Sequence, residues 1–217
     1  MKSLFNLDNP FIQFLTRVGD LILTNALFLV CCLPVVTAGA SLAAMTRITQ
    51  DIVYDCDAGI WKTFWKAFRE NFRQATVVWL VMLVVIVSLL CDLLLIMTYF
   101  EGTFATVMYV LLAVLAVLVF SVTSYLFPLL VRYENTLKQH LSNAIVLSII
   151  KLPRTLGLLL LNLLPLIILI LSAQVFVQTL VFWVIIGFGF VSYMGSNLLK
   201  PVFQELEKGN QSVTVFK

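Results

Sequence analysis

Asp92 is the residue of this sequence best placed to do chemistry in a membrane, since it is the single ionisable residue within the five long apolar runs of the chain. A carboxylate surrounded by hydrocarbon must find a partner or take up a proton, and groups of this kind are often functional. The other apolar runs offer hydroxyl and amide partners but no Lys, Arg or His. Three interpretations stay open: a protonated or hydrogen-bonded structural contact, a substrate or proton site, and a contact with another subunit.

No pattern of a catalytic or metal centre accompanies this carboxylate. The four cysteines form no CxxC pair, and the one histidine, His140, has no ligand-type residue near it in the sequence. No HExxH, GxSxG, Walker or CxxCH motif occurs. A lone carboxylate rarely suffices for hydrolysis, which usually needs a nucleophile–base pair or a metal cluster. We therefore expect no enzymatic activity, no catalytic residue, no cofactor and no metal.

Pro34 and Gly39 are the second kind of candidate, because both interrupt an otherwise continuous apolar run. Pro34 is expected to kink the helix. Gly39 begins a run of small residues that ends at Ala44, and small residues let helices approach closely in lipid. A packing seam is therefore the favoured interpretation of this run.

The composition shows that these residues sit in a membrane protein. Of the 217 residues, 61% are hydrophobic and 12% charged, against about 45–50% and about 25% in soluble domains. A soluble domain of this size has too little interior to bury so much apolar surface. The net charge of +3, without a long basic run, argues against nucleic-acid binding. We predict an all-α, polytopic transmembrane helix bundle that forms one integral membrane domain over residues 1–217.

Five apolar runs are long enough to cross a bilayer core of about 30 Å, which takes roughly 20 helical residues. The predicted spans cover residues 21–44, 75–98, 104–131, 155–172 and 175–199. The first of them is expected to be kinked at Pro34. In the alternative, the break at Pro34 makes a re-entrant or interfacial element, only four helices cross, and the N-terminus stays inside.

The basic residues predict how the chain is oriented, since cytoplasmic connections are enriched in Lys and Arg. Twelve of the fourteen basic residues lie in the connection between the first and second spans, in that between the third and fourth, and in the C-terminal tail. The turns at residues 99–103 and 172–174 carry none. We expect the C-terminus in the cytoplasm and, with five spans, the N-terminus outside.

The connection before the second span has the pattern of an interfacial amphipathic helix. Its aromatic residues fall within about 100° of one helix face, and its cations form a second stripe beside them. The residues of the two stripes are Trp61, Phe64, Trp65, Phe68 and Phe72, with Lys62, Lys66, Arg69 and Arg73. Aromatic side chains prefer the headgroup level and cations there bind anionic lipid. The stretch is thus either a generic anchor or a docking surface for a partner. A second cytoplasmic interfacial helix is predicted from Asn135 to Lys151.

Several motifs together resemble the YesL family of small bacterial membrane proteins, a domain of unknown function. They are Asn9-Pro10-Phe11, Gly19-Asp20-Leu21, residues 33–41 (LPVVTAGAS), residues 64–68 (FWKAF), residues 71–75 (NFRQA) and Arg132-Tyr133-Glu134. Ala38 is a small departure, because family members most often have a bulky aliphatic residue there. The resemblance implies a multi-pass protein of a bacterial cytoplasmic membrane with a role beside carbohydrate uptake, and it provides no catalytic residues.

We therefore expect a non-enzymatic accessory protein of carbohydrate ABC import, whose partners are anionic lipid and sugar importer permeases. The first alternative is a small oligomeric carrier or channel that uses Asp92. The second is a membrane sensor or scaffold. Whether the chain forms a homo-oligomer stays open in all three.

Overall fold

The computed structural model describes residues 10–56 and 59–214, and the regular structure in this part of the chain is helical throughout. The α-helices are α1 (Pro10–Cys32), α2 (Ala38–Val53), α3 (Ile60–Tyr99), α4 (Gly102–Arg132), α5 (Leu137–Ile150), α6 (Leu152–Leu171), α7 (Ala173–Phe182) and α8 (Phe188–Thr214). A short 3₁₀ turn, Val35–Thr37, precedes α2, and a π-helical segment, Trp183–Gly187, joins α7 to α8. Five helical runs in the described residues are long and apolar enough to cross a membrane, as expected for a multi-pass membrane protein.

The first predicted span, residues 21–44, is not one kinked helix. The helix α1 ends at Cys32, and α2 starts at Ala38 and folds back along α1. Pro34 has no backbone N–H and disfavours the helical conformation at the residue before it, which favours the end of the helix at this point. The Thr37 hydroxyl lies 2.7 Å from the carbonyl oxygen of Cys31 and 2.8 Å from that of Pro34, which satisfies carbonyls freed at the turn.

Two contacts show that α1 and α2 form an antiparallel hairpin. Near the turn, the Ser41 hydroxyl donates to the carbonyl oxygen of Phe28 at 2.9 Å. At the opposite end, the Arg17 guanidinium pairs with the Asp55 carboxylate at 2.6 Å. The start of α1 and the end of α2 therefore lie at the same end of the bundle.

Helix α2 is the central element of the bundle. Twelve of its sixteen residues are buried, and α1, α3, α4 and α8 all contact it. Its polar side chains are buried with partners: the Gln50 amide donates to the carbonyl oxygen of Pro128 at 3.1 Å, and the Thr49 hydroxyl lies 2.8 Å from that of Ser192. Small and hydrogen-bonded side chains thus let one helix be enclosed on all sides.

Helix α3 joins the predicted interfacial stretch and the predicted second span without a break. Its 40 residues correspond to about 60 Å of helix, more than the roughly 40–45 Å of a bilayer with its headgroups. Its first half packs on the α1–α2 hairpin, where Phe64 and Ala67 contact Ala44 and Ile48. Its second half forms the outer hairpin with α4.

Helices α5 and α6 are separated at Lys151, the residue at which the second interfacial helix was predicted to end. A capping box starts α5, in which the backbone N–H of Gln139 donates to the Thr136 hydroxyl and the Gln139 side chain accepts from the Thr136 N–H. Lys151 leaves the helical conformation, and Pro153 falls in the first turn of α6, where its missing N–H is tolerated.

The charged ends of several helices meet at one end of the bundle, which we call the basic end and define by Arg17, Arg132, Lys151 and Lys200. Lys200 donates to the carbonyl oxygen of Val53 at 2.9 Å, and Arg132 pairs with Glu207 at 2.7 Å. The N-terminus predicted to lie outside falls in residues 1–9, beyond the described residues. The start of α1, however, lies at the basic end. In the structure the chain runs out along α1 and returns along α2, whereas the single kinked span predicted from the sequence has no returning helix.

This arrangement predicts that a thiol near the start of α1 shares its side of the membrane with Cys56. In variants with one cysteine each, we expect Gln13→Cys and the native Cys56 to react with an impermeant maleimide only after lysis. Thr103→Cys, at the α3–α4 turn, should react in intact cells, because that turn carries no basic residue. Labelling of Gln13→Cys in intact cells, with Cys56 protected, would contradict the hairpin.

Candidate functional site

Pro34 and Gly39 come together where the hairpin turn crosses α3. The Trp79 indole N–H donates to the carbonyl oxygen of Val35 at 2.8 Å. A Cβ atom at residue 39 would overlap the carbonyl oxygen of Ala75 and lie 2.5 Å from the Cβ of Trp79. The two backbones therefore meet at a distance that only glycine permits, which matches the interpretation of Gly39 as a packing residue.

Gly39→Ala should lower the free energy of unfolding by about 1–3 kcal/mol, because the added methyl group forces α2 and α3 apart. Thermal unfolding of the purified protein in mild detergent measures the change. Gly19→Ala is the matched control, since no heavy atom lies within 4 Å of a Cβ at that position of α1. Equal unfolding temperatures for the two variants would show that the α2–α3 contact can relax without cost.

The aromatic stripe of α3 faces the protein more than the bilayer. Phe64 is fully buried against the α1–α2 hairpin, and Trp65 and Phe68 are half-buried beside it. The rings contact one another along the helix, with centroids 5.6 Å apart for Trp65 and Phe68 and also for Phe68 and Phe72. Trp61 and Phe72 are exposed and remain available to the headgroup region.

The cationic stripe is exposed along its whole length. Its members are Lys62, Lys66, Arg69 and Arg73. The ion pair of Lys66 with Glu70, at 4.0 Å between exposed side chains, neutralises little of this charge. The stretch therefore combines an internal packing face with a basic outer face that suits anionic lipid or an acidic partner.

Asp92 lies in the second half of α3 and is exposed. Within the described residues its carboxylate has neither a hydrogen bond nor an ion pair. Hydroxyl and amide groups of the other apolar runs, which were possible partners, bond elsewhere. The Ser124 hydroxyl donates to the carbonyl oxygen of Phe120 at 2.8 Å, and the Asn162 amide donates to the Ser124 hydroxyl at 3.1 Å. The structure thus separates Asp92 from the polar groups of α4 and α6.

Arg132 forms a cluster that sequence analysis missed. Its guanidinium pairs with Glu207 and lies 4.2 Å from the centroid of the Tyr54 ring and 5.1 Å from that of Phe203. Glu207 is 75 residues from Arg132, so no local sequence pattern predicts this ion pair.

Asn25 is a second group whose role was not apparent from sequence. It is fully buried, and its amide donates to the carbonyl oxygens of Trp183 at 3.2 Å and Val184 at 2.7 Å. Its carbonyl oxygen accepts the backbone N–H of Gly189 at 2.9 Å. A π-helical segment shifts the backbone hydrogen-bond pattern. Asn25 supplies hydrogen-bond partners to backbone carbonyls within this segment and to a backbone N–H just after it.

His140 is buried on the face of α5 that packs on the bundle, and neither ring nitrogen has a hydrogen-bond partner in the described residues. Burial lowers the pKa of its imidazole, because the cation would lose its hydration. The neutral form therefore predominates in the folded protein at neutral pH. The described residues contain no group of three or more His, Cys, Asp or Glu side chains that could hold a metal ion.

The folded protein should lose stability as the pH falls below about 6.5, the ordinary histidine pKa, because the unfolded chain then binds a proton that folded His140 resists. The loss is at most about 1.4 kcal/mol per pH unit from this residue. Thermal unfolding at pH 7.5, 6.5 and 5.5 should show a shallower pH dependence for His140→Leu than for the native chain or Ser142→Ala. Parallel curves for all three proteins would exclude His140 as the source.

A model of the family described as "Protein of unknown function, DUF624" matches residues 21–93. The match covers the second half of α1, all of α2, and α3 as far as residue 93. It therefore includes the contact of α2 with α3 at Gly39. No curated protein and no solved structure matches the chain.

Proposed function

We propose that this chain is a YesL-type, non-enzymatic accessory subunit of a carbohydrate ABC importer in the bacterial cytoplasmic membrane. The family match over residues 21–93 is consistent with the YesL resemblance and carries no activity of its own. The link to carbohydrate import comes from that resemblance. The proposal of a partner subunit rests on one observation of the structure, the position of Asp92.

Asp92 lies where a charged group is costly. Tyr99, the end of α3, lies seven positions after Asp92, which is about 10 Å along a helix. With the α3–α4 turn outside the cell, as we propose, the carboxylate lies in the outer leaflet. An ionised side chain in a bilayer core costs roughly 2.5–3.5 kcal/mol at the helix centre and less toward the interface. A partner helix with a basic or hydroxyl side chain at this depth would remove that cost.

The surroundings of Asp92 suit a partner that lies along the hairpin. No residue of α3 between Val78 and Ile96 is buried, and apolar side chains there are exposed, as for Val84 at 71% and Leu94 at 63%. Lipid can cover apolar side chains, but it provides no fixed partner for a carboxylate. The carboxylate is thus the feature that selects a protein partner over lipid.

The basic end complements this role on the cytoplasmic side. If the positive-inside preference holds, the start of α1, the cations of α3 and the charged part of α8 all face the cytoplasm. Anionic lipid at that surface attracts each exposed Lys or Arg by about 1 kcal/mol. The protein would then be held by lipid at one end and by its partner in the outer leaflet.

Recovery of the importer permease after cross-linking in native membranes tests the proposal. We expect permease subunits with the native chain and with Glu101→Gln, which changes an acid in the outer turn. Asp92→Leu should reduce the recovery of permease about tenfold or more, because the variant loses a charge-assisted hydrogen bond worth about 1.5–3 kcal/mol. Absence of permeases from the native pulldown, with unchanged sugar uptake in a deletion strain, would overturn it. Recovery of only a second copy of the chain would assign Asp92 to self-association instead.

A carrier or channel that uses Asp92 gains no support from the geometry. The carboxylate is on the outer surface of the hairpin, apart from the hydroxyl and amide groups that face the interior. Transport through the bundle would have to pass a site that this residue does not line.

A further inference from the structure

The turn between α1 and α2 lies closer to the basic end than the α3–α4 and α6–α7 turns do. We call its exposed residues, 33–36, the hairpin tip. Arg17 pairs with Asp55 at the basic end, and from there α1 runs about 22 Å to its end at residue 32. Helix α6, which starts beside Lys151, has 20 residues, and α4, which ends at Arg132, has 31. These helices measure about 30 Å and about 46 Å, so both of the other turns lie beyond the hairpin tip.

Helix α2 runs alongside α3, so lengths along the two helices can be compared. Gly39 meets Ala75 near the tip, and Ile48 packs with Phe64 nearer to the basic end. The two contacts are similarly spaced on both helices, as expected when their axes are nearly aligned. The part of α3 past the first contact, residues 75–99, measures about 36 Å. It therefore extends well past the tip of the α1–α2 hairpin.

This difference in length places the hairpin tip inside the hydrocarbon core of a bilayer, which is about 30 Å thick. If the α6–α7 turn marks the outer boundary of the core, the tip lies about 8 Å below that boundary. If the α3–α4 turn marks it, the tip lies about 24 Å below. In both placements the hairpin ends within the hydrocarbon and does not reach the outer surface.

The side chains of the hairpin tip suit hydrocarbon. No charged residue lies between Asp20 and Arg47. The three aliphatic side chains of the tip point away from the protein: Leu33 is 81% exposed, Val35 60% and Val36 53%. Water would make this exposure costly, whereas lipid acyl chains would not.

The two turns that lie farther out differ from the tip in composition. The α3–α4 turn has the exposed residues Tyr99 and Glu101, and the α6–α7 turn has Ser172 and Gln174. Tyrosine and polar side chains are typical of the membrane–water interface. The hairpin tip has no residue of this kind, which again indicates that it lies below the interface.

The backbone at the hairpin tip finds its hydrogen-bond partners within the protein. The Thr37 hydroxyl lies within 2.8 Å of the carbonyl oxygens of Cys31 and Pro34. The Trp79 indole N–H donates to the carbonyl oxygen of Val35 at 2.8 Å. A turn in water can leave such carbonyls to the solvent, but a turn in hydrocarbon needs partners from the protein.

We infer that the α1–α2 hairpin is a re-entrant element whose tip is a contact surface for lipid acyl chains inside the bilayer. The chain enters the membrane along α1, turns within the hydrocarbon and leaves along α2 on the side from which it came. Four helical passes then cross the bilayer: α3, α4, α6 and the run from α7 into α8. Because contact with lipid requires no partner subunit, this role is independent of the importer proposed above.

Spin labels on single cysteines in proteoliposomes measure the depth of the hairpin tip. In a chain whose four native cysteines are replaced by serine, Leu33→Cys and Val36→Cys place labels on the tip. Gln13→Cys, at the start of α1, and Thr103→Cys, at the α3–α4 turn, are the surface controls. Oxygen concentrates in hydrocarbon, whereas a water-soluble nickel chelate stays outside it. We expect the tip labels to collide readily with oxygen and to lose nearly all of the nickel collisions that both controls show.

Hydrogen exchange of the native chain in the same proteoliposomes covers the case in which the cysteine-free chain does not fold. Peptides over residues 30–37 should stay protected, while peptides over residues 99–103 exchange rapidly. Nickel collisions at the tip equal to those of Thr103→Cys, or equally rapid exchange of the two segments, would overturn the re-entrant hairpin. Low collision of the tip labels with both reagents would overturn the lipid contact and assign the tip to a protein partner.

Discussion

The close approach of α2 to α3 at Gly39 is the contact on which the rest of the bundle depends. Lipid is as apolar as the helices, so burial of apolar surface gives little drive for helices to associate in it, and close packing and hydrogen bonds must supply the attraction. A central helix with bulky side chains could not have four neighbours at this distance. The small residues of α2 allow it, and Thr49 and Gln50 add hydrogen bonds to α8 and α4 that an apolar helix could not form.

The turn at Pro34 determines how the packed helices are connected. Because the chain reverses there, α2 can lie beside α1 and still reach α3 and α8, and the Arg17–Asp55 pair closes the open end of the hairpin. The same reversal returns the chain to the basic end before α3 begins. The charged groups of α4, α5 and α8 then gather where α2 ends, in contacts such as Lys200 with the carbonyl oxygen of Val53.

Local composition was enough to predict most of the helices, since hydropathy and length determine which segments suit a bilayer. The predicted spans 75–98 and 104–131 lie within α3 and α4, and residues 155–172 and 175–199 coincide closely with α6 and with the run from α7 into α8. The α1–α2 hairpin was not predicted as the favoured form, because residues 21–44 carry no charge that marks a turn. The aromatic stripe was located correctly on one face, but periodicity does not say whether that face meets lipid or protein, and Phe64 proved to be internal. Contacts such as Arg132 with Glu207 are set by packing across the bundle and leave no local signal.

Asp92 and Trp183 are two polar residues whose side chains have no hydrogen-bond partner in the described chain. Asp92 is exposed, whereas Trp183 is buried. The Asp92 carboxylate lies on an outer surface, where any partner must come from another molecule in the bilayer. The Trp183 N–H is enclosed by protein atoms, as are the ring nitrogens of His140, and none of these atoms has a hydrogen-bond partner in the described chain. Native structures retain few groups of this kind, because each is costly in a medium that offers no water. Because the buried polar groups of α2 find partners within the bundle, the exposed carboxylate of Asp92 is better explained by a partner from another molecule than by poor packing.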